Sequence, residues 1–392
     1  MTLLSIIIPT HNRAKYVLPT IKALLELPPD IQIVVCDTSE IDALTAIFSY
    51  LQNAKRLKII RPNKVLNVVD NFNAALEAAD GEYLAFIGDD DIVTSKILDV
   101  ANWAKENDID SVKLNFPFLF YWHDFKHNTR GDAYKSTLHL SDFSGNSQIF
   151  DARQALNNSL KNFGGGVLEM PRAYAGLISK KLKDKIIIKY GKLFGGVSPD
   201  IYSSALISYE STKCYLVDYP IIIPGASGES GTGQSASGGH VGNLAFNLEK
   251  LSFGNQKWDL SIPRFYSVTT VWGFSLLKAI QLIQEKNAHT HLSPNLARIL
   301  VKCFAYHRNY FKEILVTGKF LFMEHGYVYM FSMLIKSLFD EFLWGFKRIA
   351  KRFLSRKVIN NIEVINNLDN TYLARTAAEN YLLEKSKLLN LK

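Results

Sequence analysis

The chain has 392 residues, a formal net charge of +8 and 47% hydrophobic side chains, which is enough apolar content for one large core and an appendage. Its three cysteines, Cys36, Cys214 and Cys303, are odd in number and far apart. They exclude a disulfide framework and a CxxC zinc site and suit a reducing, cytoplasmic compartment. No apolar run of about eighteen residues is free of charge, so no membrane-spanning helix is expected, and the start MTLLSIII lacks the basic region of a signal peptide.

In chain order, LLSIII is an apolar strand that ends in Pro9, Thr10, His11 and Asn12. A helix-compatible stretch from Tyr16 to Leu27 follows, with Leu18, Ile21, Leu24 and Leu25 on one face. IQIVVCDTS repeats the plan, a strand ending at Asp37, and an amphipathic helix with Leu44, Ile47, Phe48 and Leu51 leads to the short strand LKII. NVVDNFNAALEAAD reads as a third helix stopped by Gly81, and YLAFI is a fourth strand. Strands alternating with helices imply an α/β fold with a mostly parallel, doubly wound sheet, whose ligand crevice lies at the carboxyl edge.

That fourth strand delivers Gly88, Asp89, Asp90 and Asp91. Adjacent carboxylates repel one another, so three of them at the end of an apolar strand call for a compensating cation. On an extended segment Asp89 and Asp91 face the same way, leaving Asp90 for another partner. A solvated turn is the alternative, since glycine and aspartate are at home there too.

The order and spacing of these pieces resemble the nucleotide-sugar glycosyltransferases of the GT-A fold, family 2, over residues 2 to 125 and more weakly over 165 to 225. The resemblance implies that Pro9, Thr10 and Asn12 cradle the nucleotide, that Asp37 accepts a hydrogen bond from the base, and that Asn73, ahead of Gly81, Glu82 and Tyr83, belongs to the donor site. Cys36 and Phe72 stand where that family more often has an aspartate and a basic residue. GDDD corresponds to its DxD motif, with Asp89 and Asp91 as metal ligands and Asp89 and Asp90 near the donor. The cofactor implied is Mg2+ or Mn2+, which binds through one or two carboxylates plus phosphate oxygens.

Inversion at an anomeric carbon needs a general base for the acceptor hydroxyl. Asp200, in KLFGGVSPDIYSSALIS, is the candidate; an aspartate at a helix start also serves as a cap. Asp218 on YLVDYPIII is the runner-up. In FGGGVLEMPRAYAG, Gly164 to Gly166 let a ligand approach the backbone closely and Glu169 and Arg172 reach hydroxyls, or the segment is a plain surface loop. PGASGESGTGQSASGGHVGN, from Pro224 to Asn243, has almost no apolar side chains. It reads as a mobile lid over a diphosphate, with His240 as a third metal ligand, or as a linker.

After Ile262 the chain turns helical, aromatic and poor in glycine. YVYMFSMLIKSLFDEFLWGF precedes Lys347, Arg348, Lys351, Arg352, Arg356 and Lys357. Such a basic helix with an aromatic face either lies on anionic lipid headgroups or packs on the catalytic domain. Residues 370 to 389 form an oligomerising or docking helix.

The reading is a catalytic GT-A domain over 1–225, with a nucleotide-sugar half at 1–125 and an acceptor half at 126–225. A Gly/Ser-rich loop and linker occupy 226–260, and a helical C-terminal region 261–392. The expected function is inverting, metal-dependent transfer from a UDP-, GDP- or dTDP-sugar to a glycan or polyisoprenoid-linked acceptor in surface polysaccharide assembly. Peripheral contact with the inner face of the cell membrane goes with it, and nucleic acid does not. A nucleotidyltransferase would need a Gly-rich loop after the first strand, which PTHNRAKY lacks, and a nucleotide-binding scaffold with a degenerate site is the non-enzymatic rival. No GxGxxG follows any strand, which disfavours a dehydrogenase.

Overall fold

A computed structural model describes residues 2–48, 56–64, 66–254, 256–354 and 362–392, with the side chains of 351–354 left out. Leu51 and the basic residues Lys351, Arg352, Arg356 and Lys357 therefore fall outside the described side chains.

The donor half runs β1 (Leu4–Thr10), α1 (Ala14–Leu25), β2 (Ile31–Asp37), α2 (Leu44–Phe48), β3 (Leu57–Ile60), α3 (Val68–Glu77), β4 (Tyr83–Phe86), β5 (Ile92–Val93) and α4 (Ile97–Glu106). Next come β6 (Ser111–Leu114), β7 (Phe118–Tyr121), β8 (Thr137–Leu140), β9 (Ser147–Ile149), α5 (Ala152–Lys161), β10 (Gly176–Ser179), α6 (Lys180–Tyr190), α7 (Pro199–Glu210) and β11 (Cys214–Val217). The Gly/Ser-rich stretch and its flanks hold β12 (Ile222–Ile223), β13 (Gly225–Ala226), α8 (Gly231–Ser237), β14 (Val241–Gly242), α9 (Leu244–Lys250) and β15 (Tyr266–Ser267). The chain continues with α10 (Val268–Lys286), α11 (Leu296–Tyr306), α12 (Phe311–His325), α13 (Tyr327–Leu354), β16 (Glu363–Ile365) and α14 (Thr371–Glu384).

The central sheet has the order β3-β2-β1-β4-β10-β6-β11-β9. Strands β3, β2, β1 and β4 are parallel, β10 runs antiparallel between β4 and β6, and β9 closes the far edge antiparallel to β11. The mostly parallel, two-sided sheet follows from side chains that alternate faces along a strand. Leu4, Ile6 and Ile8 of β1 join Ile31, Ile33 and Val35 of β2 in one core, while Ile7, Val34 and Cys36 point into the other. Helices α1 and α4 cover the first face through Tyr16, Val17, Ile21 and Ile97; α3 covers the second through Val69, Phe72 and Leu76.

The third helix stops at Glu77, four residues before Gly81. Gly81 serves the strand pairing instead: a Cβ there would lie 2.5 Å from the Ser5 backbone nitrogen.

The C-terminal region is less of an appendage than its composition suggests. Ile201, Ala205 and Leu206 of α7 share one buried cluster with Phe274, Leu277 and Ile280 of α10 and with Ile299 and Leu300 of α11. The expected docking helix is α14, which returns to the donor half. Ala374, Ala378 and Leu382, four residues apart, bury against the α1 side of the sheet. Thr371 Oγ1 lies 3.0 Å from Thr20 Oγ1, and Arg375 donates to the Ala23 carbonyl at 2.7 Å. Strand β16 adds to β8 antiparallel.

Glu379 of α14 accepts from the Ser95 backbone N–H at 2.7 Å and from its hydroxyl at 2.8 Å. Replacing Glu379 with alanine removes charge-assisted bonds and is expected to cost about 1.5–3 kcal/mol, read by urea denaturation, with Glu379→Gln recovering part of the loss.

Candidate active site

The parallel strands β1, β2 and β4 end side by side, and the turns that leave them form the crevice. Thr10 pairs with Asp37 at the last register position of β1 and β2, and Pro9 sits opposite Cys36. Asn12 adopts φ of +54°, a left-handed conformation that asparagine tolerates better than most side chains. There its N–H donates to Ser39 Oγ at 2.7 Å and its Oδ1 accepts from the Glu40 N–H at 3.1 Å, splicing the two turns. Asp37 is 2% exposed, accepts from the Ser39 N–H at 2.9 Å, and is paired with Arg61 Nη1 at 2.7 Å. Arg61 follows β3 and gives Asp37 a fixed orientation.

The three aspartates are buried. Asp89 accepts from Thr10 Oγ1 at 2.6 Å and from Arg13 Nε at 2.8 Å, tying the turn after β4 to the turn after β1. Arg13 Nη2 reaches Asp90 at 3.0 Å and Ser227 Oγ at 2.9 Å, while Ser227 donates to Asp90 at 2.5 Å. Asp91 is held by backbone: its Oδ2 accepts from the Gly88 N–H at 2.7 Å and its Oδ1 from the Gly225 N–H at 2.8 Å. Tyr174 adds a longer bond to Asp91 at 3.3 Å. A Cβ on Gly225 would fall 1.8 Å from the Asp90 carbonyl oxygen, so only glycine brings this strand so close. The Gly/Ser-rich stretch is therefore a wall of the aspartate cluster rather than a bare linker, with a serine hydroxyl and a backbone N–H as its contacts.

Burial pushes the Asp89 carboxyl up to about 6, against the pull of Arg13, and pushes Asp91 up to about 7, with repulsion from Asp90 adding to it. Asp90 is raised too, again by burial, while Arg13 and Ser227 act to lower it. Burial disfavours the Arg13 charge, but Asp89 and Asp90 outweigh it and the net shift is upward. One guanidinium thus pairs with two of the three carboxylates, and Asp91 beside them is held by backbone. Hard oxygen donors with surplus negative charge suit Mg2+ or Mn2+. As the side chains stand, the positive charge beside Asp89 and Asp90 is that of Arg13, and among the described residues no group of three or more His, Cys, Asp or Glu is placed to hold a metal ion.

His240 does not join the aspartates in such a group. Its ring stacks on Tyr266 at 5.4 Å between centroids, and burial lowers its basicity. Asn73 is spent on the backbone: it donates to the Phe194 carbonyl at 3.0 Å and accepts from the Phe194 N–H at 3.3 Å, which anchors the loop leading to α7. Phe72 fills the place of a basic residue by packing on Phe86 and Phe194, with ring centroids 5.4 and 5.2 Å apart.

Asp200 lies in the first turn of α7, after Pro199, and accepts from Ser198 Oγ at 2.6 Å. The N-cap position of that helix belongs to Ser198 rather than to Asp200. Asp200 and Asp91 both act on Arg172 and Tyr174: burial works against the Arg172 charge, and Asp200, Tyr174, Asp91 and Glu169 support it. Asp218 is committed elsewhere, accepting from Asn115 at 3.1 Å and from the Ser144 N–H at 2.8 Å, as a loop clamp. Gly164 packs on Thr269 and Ile299 and Gly165 on Lys302, so these two serve close contact with α10 and α11, while Gly166 packs on Asn162.

Sequence reasoning missed Arg13, Arg61, Tyr174, Ser227 and Asn71. Asn71 is 4% exposed and donates to the Thr10 carbonyl at 3.2 Å, while its buried Oδ1 finds no partner among the described residues. Arg13 follows Asn12 directly, and an arginine just past one strand end, with acids at the end of another, is a signal that charge pairing alone could have supplied.

The family model described as Glycosyl transferase family 2 matches residues 5–152. The chain is 34% identical over 99 residues to UDP-Glc:alpha-D-GlcNAc-diphosphoundecaprenol beta-1,3-glucosyltransferase WfaP of Escherichia coli, over 25% of this chain and 39% of that protein. The match thus spans about two fifths of the relative's length. Among solved structures, S. aureus TarS 1-349 in complex with UDP-GlcNAc is similar at 15% identity, covering 86% of this chain and 80% of that one, with a TM-score of 0.46. The mannosyltransferase PcManGT from Pyrobaculum calidifontis, in complex with GDP-Man and Mn2+, is similar at 13% identity over 86% of this chain and 87% of that one, TM-score 0.37.

Replacing Arg13 with methionine leaves buried carboxylates without their cation and is expected to destabilise the fold by about 3–5 kcal/mol at pH 8. A carboxyl raised in the folded state keeps its proton longer than in the unfolded chain, so its contribution favours folding at low pH and fades as pH rises through about 6 to 7. The penalty of the Arg13 variant should therefore shrink at pH 5, as denaturation at the two pH values would read.

Proposed function

We propose that this chain, whose residues 5–152 match the model of glycosyl transferase family 2, transfers a sugar from a nucleoside-diphosphate donor to a lipid-linked glycan acceptor. Its mostly parallel sheet with C-terminal helices has the GT-A architecture. The observation that carries the reading is the joining of Asp89, Asp90 and Arg13 to Thr10 at the carboxyl edge of β1 and β4, within one crevice with Asp37.

In this reading the base and ribose occupy the space between the β1 and β2 turns, where Asp37 and the Asn71 Oδ1, which has no partner among the described residues, offer acceptors to donor N–H and O–H groups. Arg13 lies where the diphosphate must pass and supplies a fixed positive charge against it. A bound Mg2+ or Mn2+ would be held by Asp89 and Asp90 and would neutralise charge on the leaving diphosphate. Asp91, the other expected ligand, would have to exchange the Gly88 and Gly225 N–H bonds for the metal, as Asp89 would those of Thr10 and Arg13.

Asp200 is the proposed base. Ser198 orients its carboxylate, and Arg172 and Tyr174 feel both Asp200 and Asp91, which keeps the base near the aspartate cluster. A base there would serve an inverting transfer. The E. coli relative is named for transfer from UDP-glucose to a diphosphoundecaprenol-linked GlcNAc, which supports a uridine donor and a polyisoprenoid diphosphate acceptor here. Such an acceptor puts the enzyme at a membrane surface during surface polysaccharide assembly.

The test uses the purified chain with UDP-sugars, Mn2+ and a short-chain polyprenyl diphosphate sugar. Asp200→Asn should lower kcat by about 10²–10⁴-fold and leave UDP binding unchanged by calorimetry, while Asp89→Ala should lose UDP binding. Absence of binding to UDP, GDP and dTDP alike, with and without Mn2+, would overturn the reading.

A further inference from the structure

Helix α13 carries two apolar faces. One is built into the body: Met330 and Ser337 are buried, Arg298 donates from Nη1 to the Ser337 carbonyl, and the buried Glu341 pairs with Arg298 at 2.6 Å and Lys302 at 3.3 Å and accepts from Tyr306 at 2.6 Å. The other points outward. Val328, Phe331, Ile335, Phe339, Phe342 and Phe346 recur at three- and four-residue steps, which puts them on one stripe of the helix. Each is more than half exposed. The stripe is about 27 Å long at the helical rise per residue, and soluble surfaces seldom leave so much contiguous apolar area uncovered.

We propose that this stripe is a membrane-docking surface that lies in the headgroup region of an anionic bilayer, with α13 parallel to the membrane plane. No helix among the described residues is long and apolar enough to cross a membrane, so the stripe fits a surface rather than a span. Charge picks out the occupant. Glu341 is neutralised inside the fold, which leaves Asp340 as the exposed acid of the helix against Lys336, Lys347 and Arg348. The sequence from 347 to 357 holds six basic residues and no acidic one. A second copy paired along the same stripe in parallel would bring two such basic ends together, whereas anionic lipid attracts them. The buried Arg298–Glu341 pair fixes the helix's rotation, so the apolar face is presented ready-made. The docking stands apart from the transfer reading, which it would serve by holding the crevice near a lipid-linked acceptor.

Flotation of the full chain with vesicles tests it. The chain should float with phosphatidylcholine vesicles containing phosphatidylglycerol, more weakly with phosphatidylcholine alone, and less as salt rises. Phe331→Ser with Phe342→Ser should lower the partition constant by about tenfold or more, and Lys347→Glu with Arg348→Glu should abolish the preference for anionic vesicles. UDP calorimetry on the same variants should be unchanged, which separates failure of docking from failure of the donor site. A chain that stays with the unbound fraction for every vesicle overturns the proposal. So does a dimer seen by light scattering that the double serine variant dissolves, since a second copy then covers the stripe.

Discussion

The site depends on one guanidinium paired with two buried carboxylates that sit beside a third. Without Arg13 the run Asp89 to Asp91 would set three like charges in a low-dielectric pocket, each raised by burial. With it, the turn after β4 is bound to the turn after β1, and through Ser227 to a segment more than two hundred residues away, at a sequence separation of 214. Asp91 adds a second tie, because its oxygens take the N–H groups of Gly88 and Gly225. Charge compensation and backbone hydrogen bonding therefore locate the crevice walls together. The same excess of negative charge that makes the pocket costly when empty makes it suited to a cation or to a phosphate carried with one.

Much of the fold is legible in the sequence because a parallel sheet buried on both faces leaves near-continuous apolar strands, and LSIIIPT and IQIVVCD both end on the residues that face the crevice. Carboxylates are legible for a similar reason: Asp37 and Asp89 to Asp91 stand at strand ends, where little but a ligand or an ion pair accounts for them. Their partners are not. Arg61, Tyr174 and Ser227 reach the acids only through tertiary contacts, and spacing along the chain carries no trace of that. Asn73 shows the converse, a residue in a familiar place whose amide is turned to the Phe194 peptide.

The Gly/Ser-rich stretch misleads for a further physical reason. Composition reports what side chains can bury, and this segment has few to bury, so it reads as mobile. Its order comes from the backbone: the Gly225 and Gly228 N–H groups donate to Asp91 and Asp124, and Gly233 packs against the Ser227 carbonyl. The helical region likewise looks separate because its composition changes at residue 262, yet α10 fills the groove beside α7 and shares its core. Change in composition marks a change of secondary structure, not a domain edge.

Helix α14 and the residues after it have a consequence for how the molecule is made. Thr371 and Arg375 close on α1, Glu379 on the segment after β5, and Asn390 and Lys392 on Asn146 and Ser147 beside β9. The first two hundred residues emerge from the ribosome long before these partners exist, so α1 must wait with a strip of apolar surface uncovered. Contacts spanning 351 positions close large loops late, and until they do the amino-terminal half is a candidate client for chaperones. In this chain, α1 is translated well before α14 and is finished only when α14 arrives.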